Sequence, residues 1–516
     1  MGNFLTQFFL QHALTTILLV PITAAVVIAF LPSKESICRI IALIFSLDIL
    51  LDVLVVIFSK FDPNLAALQY VENYQWFGDT IRFKLAADGL SISMVLLMAI
   101  LLPVTIIASE PIAKEKPKLY YSMLMMVTTS VLGVFLAQDL FLFFLFWELE
   151  LIPMYFLIAI WGGTNRDYAA MKFLIYTFIA GVCMFAAVLL LFFSSGANTF
   201  DMEVLASYAK SLPHVFQFAC FILFFICFII KLPSFPFHTW LPDAHVEAPT
   251  PVSMLLAGIL LKMGGYGIYR ICAGFFPNIL AELGLWIVIL ASVNIVGGAI
   301  ACLVQDDMKR IIAYSSISHM GFVLLGIASL TSAGFSGGIF QMFSHGLISA
   351  ALFMLVGTLY ERTHTRQISD YGGMTKYMPK CFYLFTLACM ANLALPALSG
   401  FVGESLIFYG AFTSKFFNNF PTTIDFNFGQ ICVLFSAVSV VLTAGYMLWL
   451  LQRVFMGPEN TKWSKLTDLR TSEIVVLASL LALVVFWGVY PVSLSNLYEP
   501  SSSALVSYVD KIIGGL

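Results

Sequence analysis

Apolar runs of about twenty residues recur from one end of the chain to the other, and no other feature limits the fold so tightly. A helix needs roughly 20 apolar residues to cross the hydrocarbon core of a bilayer. Within that core, only structures that satisfy their own backbone polar groups can span. The runs place helices near 13–31, 37–59, 86–108, 119–137, 140–160, 169–193, 214–232, 252–272, 282–304, 309–329, 337–360, 380–396, 428–456 and 473–492. A short helix near 401–415 completes the broken one that begins at 380, which gives about fourteen transmembrane helices. Only 11% of the residues are charged and 60% are hydrophobic, whereas a soluble domain carries about 25% charged residues. The expected fold class is therefore an all-α polytopic membrane protein, with lipid around it and little room for a water-soluble domain.

Composition also removes several functions. The net charge of −3 comes with no basic patch, so nucleic acid is not an expected partner. Nine cysteines are scattered, many inside apolar runs (Cys183, Cys220, Cys227, Cys389, Cys432), and none forms a C-x-x-C pair. They read as small buried hydrophobes rather than disulfides, zinc ligands or iron–sulfur ligands. There is no G-x-G-x-x-G and no Walker A loop. No cofactor and no redox centre is expected in this chain. The N-terminus lacks a basic n-region and a small-residue cleavage site, so the chain is expected to keep its residues from Met1 onward.

Charge sets the orientation. With the N-terminus outside, one set of loops and helix flanks carries 17 of the 26 Lys and Arg residues, among them Lys114, Lys116, Lys118, Lys309, Arg310, Arg362, Arg366 and Lys376. The opposite side carries 7, and Lys231 and Lys262 lie within apolar runs. By the positive-inside rule the richer side is cytoplasmic, or stromal in a thylakoid, and both termini are expected on the periplasmic or lumenal side.

The stretch Ile230–His245 interrupts this pattern. The apolar run 216–230 ends in Lys231, then Pro233, Pro236 and Pro242. Proline removes a helix hydrogen bond and clashes with the preceding turn. The run 381–395 ends in the same way at Pro396, 163 residues after Pro233. Paired interruptions at corresponding places point to a transporter built from two repeats. The expected organisation is a three-helix flank at 1–115, a five-helix repeat at 116–275, a second at 276–457, and a C-terminal helix and tail at 458–516. An odd number of helices per repeat inverts the second relative to the first.

Six ionisable residues fall within or beside these spans. Lys231 sits at the first break, where a buried cation is costly and marks a functional site; the alternative is a lysine that snorkels to the interface. Glu148 lies near the middle of its helix in Phe146-Trp-Glu-Leu-Glu-Leu-Ile-Pro153, while Glu150 faces elsewhere on a regular helix. Such an acid is either an ion or proton site paired with a cation, or a structural hydrogen bond. Lys262 is mid-span beside Gly264 and Gly265, and either carries protons or forms a static ion pair. His319 and His345 lie in apolar helices and can relay protons, although a lone intrahelical histidine is more often a satisfied hydrogen-bonder. Glu404 follows the second break, where it serves ion passage or caps a helix. Asp48 and Asp52, one turn apart, point to no particular chemistry.

These residues also carry a resemblance. Phe146–Tyr155, Trp240–Thr250, Leu256–Met263, Ala313–Gly321, Leu359–Arg366 and Gly400–Glu404 resemble the antiporter-like subunits of respiratory complex I, in particular the M type, equivalent to chain 4. The resemblance implies two inverted five-helix repeats, each with a broken helix, and a proton channel driven by quinone reduction elsewhere in an NAD(P)H–quinone oxidoreductase. It assigns an acid–lysine pair to Glu148 and Lys231, a central lysine to Lys262, relay histidines to His319 and His345, and an exit acid to Glu404. Flavin, iron–sulfur clusters and quinone belong, by the same implication, to other subunits, and the partners are other membrane-arm subunits, sister antiporter-like chains included. The wording around Glu148 is similar to cyanobacterial and plastid members, which points towards a thylakoid enzyme using plastoquinone and leaves a bacterial inner membrane as the alternative. A subunit of a multi-subunit Na+/H+ antiporter shares the lysines and the proline break; Glu404 and the Glu361–Arg366 loop favour complex I.

Overall fold

The computed structural model describes residues 11–30, 32–110, 112–419 and 426–513. The expectation about residues from Met1 onward falls outside them. Thirteen helices among the described residues are long and apolar enough to cross a membrane, from Ala13–Phe30 to Thr471–Val489. The remaining expected span is discontinuous: Pro379–Asn392 and Ser399–Phe412 are 14 residues each, and Leu393–Leu398 separates them. The chain is an all-helical membrane protein, with one small addition that its hydropathy does not announce. Gln69–Trp76 and Gly78–Ala87 pair as an antiparallel hairpin. Its first strand is mostly exposed, so it lacks the clean apolar alternation that marks a half-buried strand.

The chain divides into two compact units. The first comprises residues up to Leu232, Ile259–Leu283 and Asn496–Leu516, and the second comprises Pro233–Gly258 and Gly284–Ser495. The boundary falls between Leu232 and Pro233, at the first helix break.

Within the first unit, glycines let helices meet backbone to backbone. A Cβ on Gly264 would lie 2.6 Å from Leu232 N and Phe228 O, and one on Gly267 would lie 2.4 Å from the Phe228 ring. The segment Leu261–Gly267 is thereby seated against the end of His214–Lys231. The tail beyond residue 491 is a further helix, Val492–Ile513, which meets Gly89 so closely that a Cβ there would be 2.1 Å from Leu497 O. Ion pairs close the same unit: Arg270 Nη2 to Asp88 Oδ1 at 2.7 Å, and Lys84 Nζ to Asp201 at 2.7 Å and Glu203 at 2.8 Å.

In the second unit the Ser332–Thr363 helix is the central element and is buried continuously from Gly334 to Leu359. Gly337 and Gly403 bring it against Ser399–Phe412: a Cβ on Gly337 would stand 2.8 Å from Ile407 N, and one on Gly403 would stand 3.0 Å from Gln341 N. At the second break, Ala394 and Ala397 take the left-handed conformation, with φ of 54° and 70°. Such backbone is uncommon for alanine and collects at functional sites.

Candidate functional site

The first site is built at two helix irregularities. His214–Lys231 ends at the lysine, so its ammonium projects from the last turn. The acidic helix is also broken: Leu140–Leu149 and Leu151–Trp161 meet at Glu150. Pro153 explains the break, because it cannot donate to the carbonyl four residues back, that of Leu149, and its ring crowds that carbonyl. Glu150 therefore departs from the regular position that turns it away from Lys231. Lys231 Nζ donates to Glu150 Oε1, with both side chains almost completely buried. The same ammonium lies 5.7 Å from the centres of the Trp147 and Phe173 rings, which stabilise a cation through their π faces.

Glu148 occupies the neighbouring position differently. Its carboxylate rests on Gly181 of the Arg166–Ser195 helix, where a Cβ would stand 1.8 Å from Oε1. That oxygen is buried without a hydrogen-bond partner among the described residues. The expectation that Glu150 faces elsewhere is thus corrected: the structure gives the hydrogen-bonded place beside Lys231 to Glu150, and holds Glu148 as a second acid that makes no direct ion-pair contact with the lysine yet lies near enough for the two charges to act on one another.

Lys262 has no solvent exposure. It stands between two π-helical turns, Leu256–Leu260 and Ile268–Ala273. Single π turns inside α-helices often mark functional positions, since the extra residue reorients the side chains around it. Gly264 and Gly267, on the same helix, make the close approach to Phe228 and Leu232 described above, so Lys262 and Lys231 sit on tightly packed helices.

The second unit joins three of the six expected residues. His319 Nδ1 is 3.0 Å from Glu404 Oε1, and the His319 and His345 rings are 5.4 Å apart. Gln341, a functional residue beyond the six expected, donates to Glu404 Oε1 at 3.4 Å and lies 3.3 Å from His319 Nδ1. These side chains, with Asn392 from the end of the first half-helix, line one small cavity. Gln341 had a signal in the sequence: it precedes His345 by four residues and so shares its face of the helix. Ser344 and Ser399 hydrogen bond at 2.7 Å beside the break. At the first break, the freed amide of Phe235 donates to Asn294 Oδ1 at 2.7 Å. Of the prolines, Pro233 and Pro236 lie between His214–Lys231 and Trp240–Glu247, and Pro396 lies between the later half-helices. Asp48 is exposed and Asp52 half-buried; their environment adds no role.

Residues 137–424 match the model of the family described as NADH:quinone oxidoreductase/Mrp antiporter, transmembrane. The chain belongs to this family. It is 42% identical to the NAD(P)H-quinone oxidoreductase chain 4 of Acaryochloris marina over 503 residues, which covers 96% of this chain and 92% of that one. The Synechocystis protein called chain 4-1 is 41% identical over 508 residues, covering 98% and 95%. Among solved structures, a chain of respiratory complex I from Thermus thermophilus with bound NADH superposes with a TM-score of 0.86 at 26% identity, covering 97% of this chain and all of that one. The fold is shared more widely, since a chain of the Mrp complex from a Dietzia species reaches a TM-score of 0.83 at 20% identity. Within the NADH:quinone oxidoreductase/Mrp antiporter family, the chain 4 proteins are thus similar to this chain along almost its whole length.

Proposed function

We propose that this chain is the chain 4 type membrane subunit of an NAD(P)H–quinone oxidoreductase, and that it moves protons while other subunits carry out the redox chemistry. The observation that carries the reading is the pair of buried sites, Lys231 with Glu150 and Glu148 in one unit and His319 with Glu404, Gln341 and His345 in the other. Charges enclosed in a membrane protein are expensive and persist where they work.

In this reading the two sites belong to the repeats 116–275 and 276–457, inverted relative to one another. Lys231 holds a proton while Glu150 is against it, and releases it when the pair opens. An ion pair at 4 Å with an effective dielectric of about 20 is worth ~4 kcal/mol, so opening and closing it is a sufficient switch. Glu148 takes or supplies a proton beside it, and Lys262 is the next carrier along the packed helix. His319, His345 and Glu404 form the second relay, with Glu404 as the exit acid. Flavin, iron–sulfur clusters and quinone reside in other subunits, and the partners are other membrane-arm chains, including sister antiporter-like subunits. The membrane is a bacterial inner membrane or a thylakoid, with both termini on its outer or lumenal side; plastoquinone is the quinone if it is a thylakoid.

The test is the isolated complex, reconstituted in liposomes, with quinone reduction and proton uptake recorded together. Flavin and iron–sulfur absorbance should co-purify with the chain, and an assembled complex carrying Lys231→Met should lose proton uptake. A complex without those cofactors that exchanges Na+ for H+ would establish the antiporter reading instead.

A further inference from the structure

The half-helix Trp240–Glu247 that follows the first break is held at its C-terminal end by basic side chains from elsewhere in the second unit. The last carbonyls of a helix have no partner within it. Here Lys309 Nζ donates to Ala248 O at 2.7 Å, to His245 O at 3.2 Å and to Ser253 Oγ at 3.4 Å. Arg366 Nη1 donates to Val246 O. Arg310 pairs with Asp243 at 3.4 Å on the same half-helix. Cations at a helix C-terminus also oppose its negative dipole end.

Asp307 organises the grip. Its Oδ1 caps Met308–Ala328 by accepting from Lys309 N at 2.8 Å and Arg310 N at 3.2 Å, while Oδ2 lies 3.3 Å from Arg366 Nε. Met308 N and Ile368 N bond to Arg366 O and Asp306 O, which fastens the loop after Ser332–Thr363 to the start of Met308–Ala328. Lys309 counted in the sequence as a cytoplasmic flank charge, yet it is 3% exposed. A lysine there purely for topology would stand in water.

We propose that Lys309, assisted by Arg366, is a positioning residue for Lys231. It fixes the half-helix Trp240–Glu247, and the eight residues 232–239 tie that half-helix covalently to the ammonium that meets Glu150. A change in the second unit that loosens or shifts the grip then reaches Lys231 along the chain. The proposal rests on the proposed role of Lys231 in proton transfer. It needs Lys309 to stay charged and donating, unlike a lysine that carries protons by losing its own.

The experiment uses the whole complex with Lys309→Met, Lys309→Arg and Lys231→Met. Amide exchange is measured over residues 240–248, and turnover and proton uptake are measured across pH. In Lys309→Met, exchange in this segment should rise roughly tenfold, as expected when a hydrogen bond to a charged group is lost. Proton uptake should fall to a similar degree, with a displaced pH profile. Lys309→Arg should restore both, because arginine donates to the same carbonyls and stays protonated. Faster exchange with wild-type uptake and pH profile makes the grip merely structural and overturns the proposal. So does unchanged exchange, and so does an assembled Lys309→Arg as inactive as Lys309→Met. Should Lys309→Met not assemble, Arg366→Gln gives the same readouts from a partly exposed loop. Normal uptake in Lys231→Met would sink the function proposed for that lysine while leaving the exchange result to report on the grip alone.

Discussion

The ammonium of Lys231 is held by Glu150, two residues along the chain from the carboxylate that sequence motifs assign to it. Glu148 instead rests on Gly181 with one oxygen unpaired. The two acids therefore differ in what their loss does. Glu150→Gln strands a buried ammonium, and breaking a buried pair from one side costs about 3–5 kcal/mol. It should lower the yield and thermal stability of the complex as well as its activity. Glu148→Gln removes a charge that acts on Lys231 without breaking its direct contact with Glu150, so the complex should assemble with near-normal stability and lose proton uptake. Thermal melting and proton uptake on both variants decide this: equal destabilisation by the two would contradict the assignment of Glu150 as counter-ion.

Gly181 and Gly264 give a second comparison. At Gly181 the atom in the way of a Cβ is the end of a flexible side chain, Glu148 Oε1 at 1.8 Å. Gly181→Ala should leave assembly intact, displace that carboxylate, and reduce proton uptake as Glu148→Gln does. At Gly264 the obstacles are backbone atoms, Leu232 N and Phe228 O at 2.6 Å. They cannot turn aside, so Gly264→Ala should destabilise the complex by about 1–3 kcal/mol, the usual cost of overpacking. A melting temperature that falls for Gly181→Ala and not for Gly264→Ala would reverse this reading.

Topology is tested separately. The excess of basic residues on one side predicts that the loops near 114–118 and 362–380 face the cytoplasm, or stroma. A cysteine at Lys116 should resist a membrane-impermeant maleimide in sealed cells and react once the membrane is opened. Rapid labelling from outside would invert the assignment.

Much of this architecture is legible because the membrane imposes a strict length on apolar runs, and because Pro233, Pro236 and Pro396 announce where helices stop. The choice between Glu148 and Glu150 was not legible from regular geometry. On an unbroken helix the two differ by about 200°, but Pro153 interrupts the helix at the very residue in question. The proline was visible; its effect on the direction of Glu150 depended on where Lys231 ends its own helix. The contacts of Lys309 are hidden for a related reason: a basic residue next to Arg310 at the start of a span has the appearance of a solvated flank charge, and only the returning carbonyls of His245 and Ala248 show that it is enclosed. The hairpin Gln69–Ala87 escaped because its first strand is solvated, and Gln341 because a neutral amide carries no charge to notice.

Lys262 offers the sharpest test of proton transfer itself. It is fully buried between two π turns, on a helix whose glycines leave no slack against Phe228 and Leu232. A lysine that carries protons must be able to exist without its charge, and lysine can do so in a buried site whereas arginine cannot. Lys262→Arg should therefore stop proton uptake even though it preserves the charge. Arginine is also larger, and crowding alone could have that effect, so Lys262→Met supplies the complement: similar in length, uncharged, and easily accommodated in an apolar surround. It should assemble and also fail to take up protons. A carrier predicts that both variants fail; a static ion pair predicts that Lys262→Arg retains uptake and only Lys262→Met loses it. The measurement is proton uptake per quinone reduced in liposomes, compared with the yield of assembled complex for each variant. Normal uptake in Lys262→Arg would remove Lys262 from the proton path and leave it as the fixed charge of a buried pair.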